Sequence, residues 1–537
     1  VSRLDADTTL PSELEFCQSD DKISAYVTNS PRQRHNQELT VGRKIMTSDQ
    51  ADITDNLKQL IPYEDLREWL IEADRLGELR NVKGASWQEE IGMAAELVSH
   101  DDDAPAVLFG DVPGSLPGSR VLVNMFGGKR KNMTLGFPTN LDKVALSNAF
   151  ASVYRGDKKL IAPNKVEDGP VFENVMMGDD VDLEIFPTPH WHEKDGGRYI
   201  GTGCYHVTRD PDTGWVNLGS YRVMLHGKQS VCHNVLPGRH ADIHFKKYKD
   251  RGERMPVAIV VGGDPLTFIM GGCDIPEGVS EYDVAGTLRG KPLDIVPGRV
   301  TGLPIPANAE IVLEGYVDGD RMEPEGPFGD WTGTYTEKGR VNPVVDIEAV
   351  YYRNDPILLG FAPQRLPDEY SRFRAITRSP FLKQDLEAAG VPGVTAAWAH
   401  EVGGSRMLLA VAIKQRYAGH ARQAGHVASM CRTGVDGNRW VIVTDDDVDV
   451  TNLEELIFAA LTRADPATSI DMIQGAKGAI SDPRLAPWDR ASKNFTNSRM
   501  IIDACIPFHW RDEFPEINQP SADSAQRARE KFGYLLE

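Results

Sequence analysis

The stretch EPEGPFGDW, residues 323–331, carries two carboxylates, Glu325 and Asp330, on either side of Gly-Pro-Phe-Gly. Proline next to glycine gives a stiff support with little side-chain freedom. Two acids on it can be held at a set separation. One reading is a turn with solvated acids. The other is an acid/base pair around a substrate, in which one carboxyl delivers a proton and the second sets the charge balance. Upstream, Arg222 follows Tyr221 in the strand-like run WVNLGSYRV. A fixed guanidinium there could hold a carboxylate through two parallel hydrogen bonds, or could belong to a buried structural ion pair.

Three further clusters fall in the same region. Asn217 lies in WVNLGSYRV, Arg239, His240 and His244 in PGRHADIHF, and Glu281 in MGGCDIPEGVSEYDVAG. Asn, His and Glu together offer one nitrogen and two oxygens. That donor set suits an octahedral divalent ion such as Mn²⁺ or Mg²⁺ better than tetrahedral zinc. The competing reading is a hydrogen-bonded structural histidine among strands. Lys414, in AVAIKQRYAGHARQ, ends an apolar strand and is either solvated or in contact with a phosphate. HWHE (190–193) has a metal-like look but reads as pocket wall or structure. The acids of TDDDVDVTNLEEL (444–456) could suggest a cation site, yet acids ahead of a helix complement its dipole without any metal.

These residues need elements to position them. Residues 1–50 are polar and weakly patterned, which predicts a mobile or surface-wrapping tail. Residues 51–125 predict an N-terminal α/β domain. Leu66, Trp69, Leu70 and Ala73 share one helical face, SWQEEIGMAAELVSH reads as a second helix with Ser86 as N-cap, and APAVLFGDVPG reads as a strand and turn. From 126 to 345, short apolar runs broken by Gly and Pro predict an antiparallel sheet or barrel. Residues 346–537 return to α/β alternation, with strands at MLLAVAIKQ and RWVIVTDDDVDV and helices at GHARQAGHVASM and NLEELIFAALTRA.

Composition narrows the function classes. The 537 residues are 41% hydrophobic, enough for sizeable cores, and carry a net charge of −20. That charge argues against general affinity for nucleic-acid phosphates or anionic lipid. No apolar run approaches the ~18 residues of a membrane span. The acidic start is unlike a signal peptide, and Val1 in place of Met points to a processed or engineered start. Six cysteines, at 17, 204, 232, 273, 431 and 505, include no C-x-x-C pair, which predicts reduced thiols and a cytoplasmic location.

The ordered set N-x-x-x-Y-R (217–222), R-H (239–240), I-P-E-G-V-S-E (275–281), P-E-G-P-F-G (324–329) and I-K-Q (413–415) resembles the UbiD-like decarboxylases, over about residues 55 to 520. PTPHWHEKDGGRYIGTG (187–203) and ASKNFTNSR (491–499) look like the branch acting on aromatic acids. The resemblance implies a mixed α/β architecture: an N-terminal α/β domain, a central FMN-binding split β-barrel and a C-terminal α/β oligomerisation domain. It implies reversible, non-oxidative decarboxylation of an aromatic or heteroaromatic acid (hydroxybenzoate, indole- or pyrrole-carboxylate type) through a covalent adduct with prenylated FMN. Such a cofactor is the electron sink that no side chain supplies. The rivals are a physiological carboxylase and a non-catalytic subunit of a larger carboxylase.

Residue by residue, the resemblance implies Mn²⁺ on Asn217, His240 and Glu281. It implies K⁺ on Glu281 and backbone carbonyls near Trp215, Met270, Gly271 and Cys273. Tyr221, Arg222, Arg239 and Lys414 match cofactor-contacting positions, and Arg222, Glu325 and Asp330 match a catalytic Glu-Arg-Glu network. The last member is Asp here, one methylene shorter, about 1.5 Å less reach. The implied partners are the acid, CO₂, a flavin prenyltransferase that supplies the cofactor, and further copies of the chain as a homodimer or larger oligomer, a hexamer included.

Overall fold

The helix Leu66–Arg75 forms where the apolar spacing places it. The Asp65 side chain caps it by accepting from the Arg67 and Glu68 N–H groups, and Leu66, Trp69, Leu70 and Ala73 are its buried residues. The computed structural model describes residues 61–154 and 159–535, so the expected tail 1–50 lies outside the described residues. The second helix starts later than expected, at Glu90, and runs to Ser99 with Glu89 as N-cap, not Ser86. The cause lies at Trp87. Its carbonyl accepts from the His190 N–H at 2.9 Å, and its ring is covered by the Arg198 guanidinium at 4.0 Å. Those contacts draw the chain out of helical geometry for one turn.

Four strands make the first sheet, in the order Leu79–Lys83, Ala106–Gly110, Arg120–Val123, Ile357–Leu359. The last pairs in parallel with Arg120–Val123. The chain therefore returns to its first sheet after completing the central one. The boundary expected between 345 and 346 falls inside the strand Arg340–Tyr352, which pairs with Ile311–Glu325 from Tyr352↔Ile311 to Glu325↔Arg340. A change of sequence texture marks where loops thin out, and not where a long hairpin ends.

The central sheet runs Ser230–Cys232, Arg340–Tyr352, Ile311–Glu325, Met255–Val261, Cys204–Arg209, Val216–Gly219, with Asn174–Met177 also on Arg340–Tyr352. Every pairing in it is antiparallel. Along Met255–Val261, Val257, Ile259 and Val261 enter one core while Ala258 and Val260 enter another. Both faces are thus buried, by the two-residue period of a strand.

The helix Glu369–Ala388, started by a capping box of Asp368 and Ser371, leads to the C-terminal sheet. Its order is Val394–Ala399, Leu408–Ile413, Trp440–Asp445, Thr496–Asp503, Ile470–Lys477, with parallel pairing among the inner three. The acidic run at 444–456 is ion-paired and capping: Asp447 takes two bonds from Arg463, and Asp449 accepts from Thr451. No helix among the described residues is long and apolar enough to cross a membrane. The described cysteines 204, 232, 273, 431 and 505 are all free.

Candidate active site

Glu325 ends the strand Ile311–Glu325 and is fully buried. Five donors meet its two oxygens. Oε1 accepts from Arg222 Nε at 2.9 Å and Tyr199 Oη at 2.7 Å. Oε2 accepts from Arg222 Nη2 at 2.9 Å, Asn234 Nδ2 at 3.2 Å and Asn342 Nδ2 at 3.3 Å. The arrangement is a bidentate Arg–carboxylate pair with its spare lone pairs filled. Register accounts for Asn342: Glu325 pairs with Arg340, and Asn342, two residues along, faces the same side. Burial disfavours the Arg222 cation, but the Glu325 carboxylate more than reverses this and its pKa is raised. Burial and the same carboxylate push the Tyr199 phenol up.

After Glu325 the chain turns through Gly326, whose φ of +89° lies in the region open to glycine, and a cis Gly326–Pro327 bond. Phe328 is buried against the Tyr199 ring at 3.9 Å between centroids, and the Arg222 guanidinium lies 5.4 Å from it. Asp330 is half-buried. Its hydrogen bonds stay within its own turn: Oδ1 accepts from the Trp331 N–H at 2.7 Å, its N–H donates to Thr334 O, and its carbonyl accepts from Gly333. It is near enough to Arg222 to act on that charge without bonding to it.

The second cluster starts from the edge strand Val216–Gly219, which Met255–Val261 and Cys204–Arg209 separate from Ile311–Glu325 in the sheet. Asn217, on Val216–Gly219, accepts at Oδ1 from His240 Nδ1 at 3.0 Å. His240 opens the helix His240–Asp250 behind Arg239, and its ring stands edge-on to Trp215 at 4.9 Å. Glu281, the first residue of Glu281–Arg289, is 2% exposed, and its Oε2 accepts from the Leu218 N–H at 2.7 Å. Burial without a cation partner pushes its carboxyl up to about 8. Around it Asn217 Nδ2, Trp215 Nε1, Ser220 Oγ and Ser280 Oγ are buried without hydrogen bonds. A buried acid with no counter-charge, beside two unbonded serine oxygens, fits a hard cation, while the unbonded N–H groups of Asn217 and Trp215 are donors suited to an anion. Tyr221 lies beside Asn217, Arg239 and Glu281, its phenol pushed up to about 12 chiefly by burial.

Of the carbonyls expected near a monovalent ion, Trp215 accepts from Asp210, Gly271 from Ser220, Met270 from Cys273 and Cys273 from Ile275. A carbonyl oxygen has two lone pairs, and Met270 O also faces the Gly272 N–H. Arg239 is exposed, its nearest acid Asp274 at 3.8 Å. Lys414 lies just past Leu408–Ile413, exposed, with no side-chain hydrogen bond or ion pair among the described residues. No recorded contact joins it to the two clusters. His190 and His192 bind no shared cation cluster among the described residues; they hydrogen-bond to Asp195 O and to Glu96 and Gln364. His244 is tied to Thr208. Tyr199, Asn234 and Asn342, which complete the Glu325 cage, were not among the expected site residues. The RYIGTG part of the 187–203 motif was the one signal that could have found Tyr199.

Residues 164–366 match the model of the 3-octaprenyl-4-hydroxybenzoate carboxy-lyase Rift-related domain, and residues 371–504 match that enzyme's C-terminal domain. This chain belongs to the UbiD carboxy-lyase family. It is 32% identical to a phenolic acid decarboxylase of Streptomyces sp. (strain D7), covering 83% of this chain and 92% of that one. It is 32% identical to the pyrrole-2-carboxylic acid decarboxylase of Pseudomonas aeruginosa, covering 82% and 91%. Among solved structures, the UbiD-class enzyme HmfF from Pelotomaculum thermopropionicum in complex with FMN is similar at 27% identity and a TM-score of 0.75, covering 86% of this chain and 98% of that one. Membership makes the chain a carboxy-lyase and identifies its mixed α/β architecture with that of the family.

Proposed function

We propose that this carboxy-lyase releases CO₂ from an aromatic or heteroaromatic carboxylic acid, with Asp330 as the proton donor and the Arg222–Glu325 pair as the fixed element that orients the carboxylate. One observation carries the division of roles. Glu325 is enclosed by five donors, whereas Asp330 is half-buried and bonded only within its turn. A group that gives up and regains a proton needs that freedom. The substrate class rests on the phenolic acid and pyrrole-2-carboxylic acid decarboxylases to which the chain is similar.

Arg222 uses Nε and one Nη2 hydrogen on Glu325, so its remaining N–H groups are free for a substrate carboxylate. Phe328 and Tyr199 form an aromatic wall beside it. A prenylated flavin, when bound, supplies the sink for the electron pair left on an sp² carbon. Asp330 then gives its proton to the carbon that lost CO₂ and regains one from water, so carboxylate plus proton becomes arene plus CO₂. Asn217, His240 and Glu281 are the residues that would hold a divalent ion, Mn²⁺ by the resemblance, against the cofactor phosphate. The lone pairs on the carbonyls of Trp215, Met270, Gly271 and Cys273, with Glu281, would serve K⁺. Tyr221, Arg239 and Lys414 would contact the cofactor, the last two with donors that are unbonded among the described residues.

Self-association fits the C-terminal sheet, where Trp440 and Met472, 45% and 61% exposed, flank Met500 in one cross-strand row. A flavin prenyltransferase would supply the cofactor. The test is a screen of aromatic acids with protein produced alongside such a prenyltransferase, following CO₂ and arene. Turnover of at least one acid, with a flavin-like absorbance, is expected. Equal turnover by flavin-free protein would overturn the reading.

A further inference from the structure

The 187–203 segment does more than bring Tyr199 to Glu325. Asp195 lies on it with its carboxylate fully buried. Its Oδ1 accepts from Tyr335 Oη at 2.8 Å and its Oδ2 from the His192 N–H at 3.0 Å. The N–H of the next residue, Gly196, donates to Pro327 O at 2.7 Å. Pro327 precedes Asp330 and Tyr335 follows it. Two consecutive residues of one loop therefore hold both ends of the segment that carries the acid. The approach is close enough that a Cβ on Gly196 would fall 1.9 Å from Gly326 O, so no other residue fits there.

Asp195 is braced from behind. His192 Nδ1 lies 3.8 Å from its Oδ2, while His192 Nε2 is 3.1 Å from Glu96 Oε2 and 2.6 Å from Gln364 Oε1. Glu96 in turn meets His100 Nε2 at 2.7 Å on the helix Glu90–Ser99. The turn at 330–334 has only internal hydrogen bonds around Asp330, and on its far side Trp331 packs under Arg406 at 5.0 Å. The Asp195–Gly196 pair is one tie between this turn and the Tyr199–Glu325 side of the site.

We propose that Asp195 and Tyr335 are positioning residues that fix the place of the Asp330 carboxyl relative to the Arg222–Glu325 pair. The proposal rests on Asp330 being the proton donor. Proton transfer to carbon tolerates little misplacement: a shift of about 1 Å costs on the order of 10²-fold in rate. Tyr335 is 38% exposed, so removing its hydroxyl should leave the fold intact. Asp195 was singled out by neither charge nor periodicity, since its role appears only once the loop and the hairpin end meet.

The experiment uses holoenzyme of the parent, Tyr335→Phe, Asp195→Ala, the Asp195→Ala/Tyr335→Phe double variant and Asp330→Asn, with steady-state kinetics and amide hydrogen exchange of residues 326–335. In Tyr335→Phe, kcat should fall about tenfold or more with KM within about twofold, bound flavin should be unchanged, and amides 329–335 should exchange faster. Asp195→Ala, which removes the acceptor itself, should show the same signature more strongly. The double variant should be no worse than Asp195→Ala alone, because both changes cut one tie. Unchanged exchange in both single variants overturns the tether. Faster exchange with parental kcat overturns its positioning role. Parental turnover in Asp330→Asn instead removes the donor reading and this role with it, while the exchange data still report whether the tether exists.

Discussion

Two polar clusters share the central sheet and are built on opposite terms. Around Glu325 every lone pair has a donor within the chain, and the ion pair is complete. Around Glu281 the acid is equally buried, yet it accepts one backbone bond and its neighbours Asn217 Nδ2 and Trp215 Nε1 have none. The first cluster is finished by folding. The second is left open by folding, its acid without a cation partner among the described residues. A buried charge left unpaired is costly, and without a partner burial raises the Glu281 carboxyl to about 8.

The sharpest way to break this contrast is Arg222→Ala. It strips two of five donors from a buried carboxylate, leaving Tyr199, Asn234 and Asn342. Loss of a partner from a buried pair costs about 3 kcal/mol or more, and the substrate loses its orienting cation. Turnover should collapse and the denaturant midpoint should fall together. A variant as stable as the parent would show that the Glu325 cage does not depend on its cation.

Asp330→Asn should separate chemistry from stability. The amide keeps the size and the Oδ1 acceptor for the Trp331 N–H but has no proton to give. Turnover should drop by about 10²–10⁴-fold, with stability within about 0.5 kcal/mol of the parent and cofactor binding retained. Full activity would make Glu325 the donor despite its five bonds.

Much of this contrast was legible in the sequence, and the illegible part has a physical cause. Motif order picked out Asn217, His240, Glu281, Arg222 and Glu325, because metal and ion-pair chemistry constrain residue type. The helix Leu66–Arg75 followed from spacing alone, its buried residues being the predicted face. Tyr199, Asn234 and Asn342 were missed because they reach Glu325 from three separate stretches. Only strand register and loop closure bring them together, as the pairing of Glu325 with Arg340 does for Asn342. The return of Ile357–Leu359 to the first sheet is likewise a tertiary pairing with no local mark. Of the two readings of Lys414, solvated or on a phosphate, its exposed side chain past the strand end agrees with the first within the chain itself.

The open cluster around Glu281 makes its own prediction about pH. In chelated, cofactor-free protein the Glu281 carboxyl is raised by burial from 4.5 to about 8. A raised folded-state pKa gives a contribution that is full below the unfolded value and is lost as pH rises through the folded one. Chelated parent should therefore lose thermal stability, relative to Glu281→Gln, as pH climbs from about 4.5 to about 8. Mn²⁺ added at pH 8 should restore the parent and leave Glu281→Gln unmoved. In prenyltransferase-supplied protein, His240→Ala and Glu281→Ala should both lower bound flavin as seen by mass spectrometry. A flat difference between parent and Glu281→Gln, with no metal response, would place the cation elsewhere.

The smallest and most discriminating change is Asp330→Glu, which restores the family's commoner acid. If the site merely tolerated a shorter acid, the longer one would hold or raise activity. The geometry points the other way. The Asp330 carboxylate accepts from the N–H of the very next residue at 2.7 Å, inside a turn closed by Asp330 N–H to Thr334 O and Gly333 N–H to Asp330 O. An added methylene carries the carboxyl past that N–H, freeing the side chain into several rotamers. Ordering such a side chain again costs about 0.5–1.5 kcal/mol, a few-fold in rate. We expect kcat to fall about three- to tenfold, with KM raised where the substrate is bulky and stability unchanged. Activity at or above the parental level would mean that the turn adapts to the acid, and that the reach of Asp330 is set by the backbone behind it and not by its own hydrogen bond.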